Sequence, residues 1–96
     1  MREVRRSKQT IRDLAAILSY IATDNAPAAE RWLETIEELF VLMASHPGMG
    51  EVVSTPRLGN LRRRSFGHYV IYFRDRDYGV FIARVLHGAR DHRRLT

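Results

Sequence analysis

The residues of this chain that could do chemistry are arginines, histidines and tyrosines gathered between Leu61 and Arg90. Together they could support acid–base cleavage of RNA. That reaction needs a base for the 2′-hydroxyl proton, an acid for the leaving oxygen, and cations around the charged phosphorane. Arg62, Arg64 and Arg84 would supply the cations, and His87 or Tyr72 would move the protons. Each also has a plainer role, since a strand tyrosine usually packs and His87 could simply close the last strand. Other chemistries find no support. Ser7, Ser19, Ser45, Ser54 and Ser65 lie in no G-x-S-x-G context. His46, His68, His87 and His92 have no spacing that suggests a metal site. A glycine-rich phosphate loop is absent, and with no cysteine there is neither a thiol nucleophile nor a Cys-based metal site. Neither a metal nor a cofactor is expected. Glu51, the one acid of its stretch, is better explained by solvation than by catalysis.

The charge is placed unevenly. Residues 1–56 hold six basic and eight acidic side chains, whereas residues 57–96 hold ten arginines and three aspartates, and these sum to the net +5 of the chain. Fifteen of the sixteen basic residues are arginine, whose planar fork of donors suits phosphate and carboxylate. A polyanionic partner is therefore favoured, either nucleic acid or an acidic protein segment. A solvated basic surface is the alternative. Ninety-six residues make one domain that buries roughly 60–65% of its unfolded surface. No apolar run approaches the roughly 20 residues of a membrane span. The polar start, MREVRRSKQT, does not read as a signal peptide. A cytoplasmic location is the default expectation.

The elements that must position these residues follow from periodicity. Glu3–Arg6 has only Val4 as a β-former. Ser7 or Thr10 can cap a helix, and Thr10-x-x-Asp13 resembles a capping box. Ile11, Leu14, Ala15, Leu18, Ile21 and Ala22 then line one helix face, with Ile17 and Tyr20 widening it as for a helix covered on more than one side. Asp24-Asn25-Ala26-Pro27 ends this helix and starts the next, because asparagine caps and proline fits a first helical turn. Helix two runs from about Ala26 to Ser45, with Trp32, Leu33, Ile36, Leu39, Phe40 and Met43 inward and Glu30, Glu34, Glu37 and Glu38 opposite. His46-Pro47-Gly48 stops it.

Met49–Asn60 reads as a loop. Three strands follow, Leu61–Phe66, Tyr69–Arg74 and Gly79–His87, joined by short turns into an antiparallel meander. Arg62 and Arg64 share a face with Phe66, while Leu61, Arg63 and Ser65 share the other. So many arginines suit an edge strand, whereas Gly79–His87, apolar on both sides, suits the interior. After Arg90 the chain reads as a short basic tail. The expected fold class is α+β, a two-helix antiparallel hairpin packed on a small, mainly antiparallel sheet.

Five fragments, in order, carry a resemblance: Asp13-Leu14 with Tyr20-Ile21-Ala22; Asn25-Ala26-Pro27-Ala28-Ala29; His46-Pro47-Gly48-Met49-Gly50; Tyr69-Val70-Ile71-Tyr72-Phe73-Arg74; and Arg84-Val85-Leu86-His87-Gly88-Ala89-Arg90-Asp91. Together they resemble toxins of the RelE/ParE superfamily, closer to the ParE branch. The resemblance promotes Glu3–Arg6 to an N-terminal strand. It also implies a type II toxin held in a hetero-oligomer by a cognate ParD-like antitoxin with an acidic C-terminal segment. ParE-like toxins act on DNA gyrase, and RelE-like relatives cut messenger RNA on the ribosome. RelE nucleases use several lysines and arginines plus a C-terminal tyrosine or histidine, whereas this chain has a single lysine, Lys8, and no tyrosine after Tyr78. A non-enzymatic gyrase inhibitor is thus the expectation. A RelE-type RNase using Arg62, Arg84 and His87 is one alternative, and an inactive homologue retained for complex formation and autoregulation is the other. The resemblance points to Arg84, His87, Arg90, Arg93 and Arg94 for the target. For the antitoxin it points to Leu14, Leu18, Arg62, Arg64, Tyr72 and Arg74.

Overall fold

Ser7 adopts extended backbone (φ −70°, ψ 162°) and its Oγ accepts the Thr10 amide, which starts helix α1, Lys8–Asp24. The computed structural model describes residues 2–95, with His92 and Arg93 described by backbone alone. Asp13 does not complete a capping box on α1. Its carboxylate turns instead to Arg84 and to the Val85 amide. Asn25 joins the helices by itself: its N–H donates to Ile21 O, and its Oδ1 accepts the Ala28 amide at 3.1 Å to start α2, Ala26–Ser45. One residue thus caps both helices.

Five strands form one sheet: β1 (Glu3–Arg6), β2 (Glu51–Thr55), β3 (Gly59–Phe66), β4 (Tyr69–Arg76) and β5 (Gly79–His87), in the order β1-β5-β4-β3-β2. β1 is parallel to β5, and β2 to β5 form an antiparallel meander. The fold is α+β, and the interior position of β5 agrees with its two apolar faces. Two expectations need correction. The stretch read as the loop Met49–Asn60 contains β2 and the start of β3. β2 carries no strong period of its own, and its strand state comes from pairing, with Val53 opposite Leu61 and Glu51 opposite Arg63. β3 is accordingly second from the edge. Two of its three arginines are answered by carboxylates, Arg63 by Glu51 at 3.1 Å and Arg62 by Asp75 at 3.2 Å.

Two apolar clusters occupy opposite faces of the sheet. Between helices and sheet, Leu14, Ile17, Ile36, Phe40 and Met43 pack on Ile71, Phe73, Val80, Ile82 and Val85. On the far face Leu61, Tyr72, Ala83 and Leu86 enclose Leu95. α1 is covered on one side only, against expectation: Ile11 and Tyr20 are 56% and 66% exposed, and Ala15 and Ala22 are exposed as well. α2 and β5 meet the face that bears Leu14 and Ile17, and Ile11 and Tyr20 flank that face on opposite edges. β1 is held from both sides, by the Arg6–Glu37 fork to α2 at 2.5 and 2.8 Å and by the ladder to β5.

Gly79 begins β5 with φ +148°, and a Cβ there would overlap the Glu3 carbonyl oxygen. Gly79→Ala therefore forces both backbone strain and separation of β1 from β5. The expected loss is about 2–4 kcal/mol in urea unfolding; an unchanged midpoint would show that the close approach is dispensable.

Candidate functional site

The C-terminal end of β5 is where α1, the sheet and the last residues meet. β1 pairs with β5 only as far as Ile82, so the β5 backbone beyond it needs other partners. The first turns of α1 supply them. Thr10 Oγ1 donates to Ile82 O at 2.9 Å, Ser7 Oγ donates to Ala83 O at 2.7 Å, and Asp13 Oδ2 accepts the Val85 amide at 3.1 Å. A register shift between β4 and β5 lies at the same place, at Tyr72/Phe73, and it lets Arg84 reach α1. Its Nε and Nη2 meet Asp13 Oδ2 and Oδ1 at 2.8 and 2.9 Å. The side chains are 16% and 6% exposed, so this is a buried two-pronged ion pair. Hydrogen bonding to Asp13 holds the Arg84 guanidinium above its ordinary pKa, against the opposing effect of burial. A raised pKa of a cation leaves its contribution complete below the ordinary guanidinium value, so Arg84 keeps its charge at neutral pH.

Beyond β5 the chain does not trail away as a tail. Asp91 accepts the His87 amide at 2.9 Å and returns its own N–H to His87 O at 2.9 Å. His87 Nδ1 takes the amides of Ala89 and Arg90 at 3.3 and 3.2 Å. A 3-10 turn, His92–Leu95, then drops Leu95 into the far-face cluster, where its carbonyl accepts the Arg57 amide at 3.3 Å. Arg90 stands 5.5 Å over the Tyr20 ring, and Arg94, 61% exposed, lies 3.9 Å from Asp91. Between them opens a cleft of about 290 Å³ lined by Asp13, Ile17, Tyr20, Tyr69, Arg90 and Arg94. The side chain of Arg93 lies outside the described residues.

Elsewhere the expected partner residues are spread over both faces. Leu14 is buried in the core. Leu18 is half-buried in a shallow groove of about 360 Å³ between the helices, with Ala22, Ala26, Ala29 and Leu33. Arg62 holds Asp75 and points Nη1 at the carbonyls of Gly48 and Gly50. Arg74 donates to Leu58 O, and Tyr72 is buried on the far face. Arg64 is half-buried, and its Nε has no hydrogen-bond partner among the described residues. Arg62, Arg84 and His87 do not share a point. Arg62 pairs with Phe73, which pairs with Ile82, so Arg62 lies two strands from β5, or roughly 10 Å. His87 is five residues further along, roughly 15 Å. Among the described residues, no three His, Cys, Asp or Glu side chains form a metal-holding group.

The family model for ParE toxins of type II toxin–antitoxin systems, parDE, matches residues 4–92. The chain belongs to the ParE toxin family. No curated protein matches the sequence. The ParE match begins inside β1 and takes in the rest of the sheet, with His87, Arg90 and Asp91, and stops before Arg94 and Leu95. Membership of a parDE family implies a cognate ParD-type antitoxin as partner. No described helix of this ParE-family chain is long and apolar enough to cross a membrane.

Sequence reading missed Asp13, Tyr20, Tyr69 and Asp91 as parts of this candidate site. Asp13 left one signal: it sits between Thr10 and Ile17 on the inward face of α1. A carboxylate there, in a chain with eleven arginines downstream, calls for a buried cation.

Proposed function

We propose that this ParE-family chain is a gyrase-directed toxin that works by binding rather than by catalysis, and that its C-terminal segment carries the contact. The supporting observation is the anchored turn after β5, which presents Arg90 and Arg94 around the cleft beside exposed Tyr20. Arg90, Arg93 and Arg94 meet the target, while Arg84 ties β5 to α1 and His87 holds the turn that follows β5. The dispersal of Arg62, Arg84 and His87 over separate places also favours binding, because proton transfer needs groups within about 3 Å of one reacting bond.

The antitoxin, in this reading, is ParD-like and lays an acidic, partly apolar segment over the groove around Leu18 and over the arginines of β3 and β4. Coupled folding of such a segment combines charge complementarity with apolar burial.

Purified chain added to a gyrase supercoiling and cleavage assay tests the reading. The expected result is lost supercoiling with accumulation of cleaved DNA, relieved by the antitoxin. Normal supercoiling at saturating chain, together with cuts in translated messages, would sink it and support an RNase of the RelE type.

A further inference from the structure

His87 closes β5, and its ring is fixed from two sides. It lies nearly parallel to the His68 ring, at 18° and 6.2 Å between centroids, and Tyr69 meets it edge-on at 5.5 Å. The backbone on either side is pinned as well, since Gly88 N donates to His68 O at 2.9 Å and Asp91 closes on His87 N and O. In this setting Nδ1 faces the turn and accepts the Ala89 and Arg90 amides. An accepting ring nitrogen carries no proton, so the imidazole is the tautomer protonated at Nε2.

We infer that His87 is the positioning residue of the C-terminal segment. It acts through the Nδ1 lone pair on two backbone amides and does not itself touch the target. The inference rests on the toxin reading for its biological consequence and stands on the geometry for its physical one. The Arg90 amide is tied to Nδ1 while the Arg90 guanidinium rests over Tyr20. The ring therefore sets where the first arginine of the segment leaves the sheet. The turn that follows, with Arg94 N on Asp91 O at 3.0 Å, carries that placement to the cleft.

Two variants separate the lone pair from the ring. His87→Phe keeps an aromatic ring against His68 and Tyr69 but has no acceptor. His87→Asn loses the ring but places an amide oxygen near the Nδ1 position. Amide hydrogen exchange of Ala89 and Arg90 needs no target; it should be roughly three- to tenfold faster in H87F and near the native rate in H87N. Growth arrest on induction without antitoxin should fall in H87F and largely return in H87N, with antitoxin binding retained in both. Native exchange in H87F would overturn the inference. So would an H87N variant as impaired in arrest as H87F, because it would assign the role to the ring itself. A native chain that arrests no growth would count against the toxin reading alone, and the exchange rates would still decide the role of His87.

Discussion

Replacing Asp13 by alanine should lower the unfolding free energy by about 3–5 kcal/mol, the range for removing one partner of a buried ion pair. The carboxylate is 6% exposed and fills both prongs of Arg84, which is itself 16% exposed. Its loss leaves a guanidinium desolvated and unanswered and withdraws the acceptor from the Val85 amide. Asn at the same position keeps an acceptor for one of these donors and should recover part of the loss. Replacing Arg84 by methionine in the alanine background removes the stranded charge. The double variant is expected to be more stable than D13A alone, as a double-mutant cycle in urea unfolding would read. A cost below about 1 kcal/mol for D13A would mean that Arg84 escapes to water and that the pair does not tie α1 to β5.

The largest functional effect is expected from Arg90→Ala with Arg94→Ala. Both guanidiniums line the mouth of the cleft, and truncating one member of a desolvated charge pair in a complex costs about 2–5 kcal/mol. On the proposed gyrase-directed reading, the concentration of chain that inhibits gyrase should therefore rise roughly a hundredfold. The fold should hardly notice. Arg90 makes an exposed contact with Tyr20 and Arg94 an exposed one with Asp91 at 3.9 Å, together worth about 1 kcal/mol or less. Native inhibition by the double variant would remove the C-terminal segment from the toxin surface. Cutting the chain after Gly88 is a poorer test, because it also takes Leu95 out of the far-face cluster. Losing a buried leucine costs about 2–5 kcal/mol by itself, so lost toxicity would not distinguish contact from folding.

Local signals were read well where one stretch of chain decides the outcome. The Asn25-Ala26-Pro27 junction, the inward face of α2 and the two-sided apolar pattern of β5 are of this kind. Elements that depend on a distant partner were not. Glu3–Arg6 becomes a strand because Glu3 pairs with Gly79, at the far end of the sequence, and only resemblance to a family suggested it. β2 is a strand because β3 lies beside it. Ile11 and Tyr20 are apolar on the pattern of a buried stripe and yet lie outside, because they flank, on opposite edges, the one face of α1 that α2 and β5 cover. Hydrophobic spacing tells how a helix is striped, not how much of the stripe is covered.

By itself the sequence determined the two helices, the last three strands, the turns between them and the concentration of arginine after residue 56, all properties of neighbours along the chain. Only the tertiary structure decided what each arginine does. Arg63 answers Glu51, Arg62 answers Asp75, Arg84 is closed on Asp13, and Arg74 is spent on a backbone carbonyl. Arg90 and Arg94 are left at the surface beside a tyrosine. The reason is that an ion pair forms by distance and desolvation in space. Asp13 and Arg84, 71 positions apart, are brought within 2.8 Å by the packing of α1 on β5.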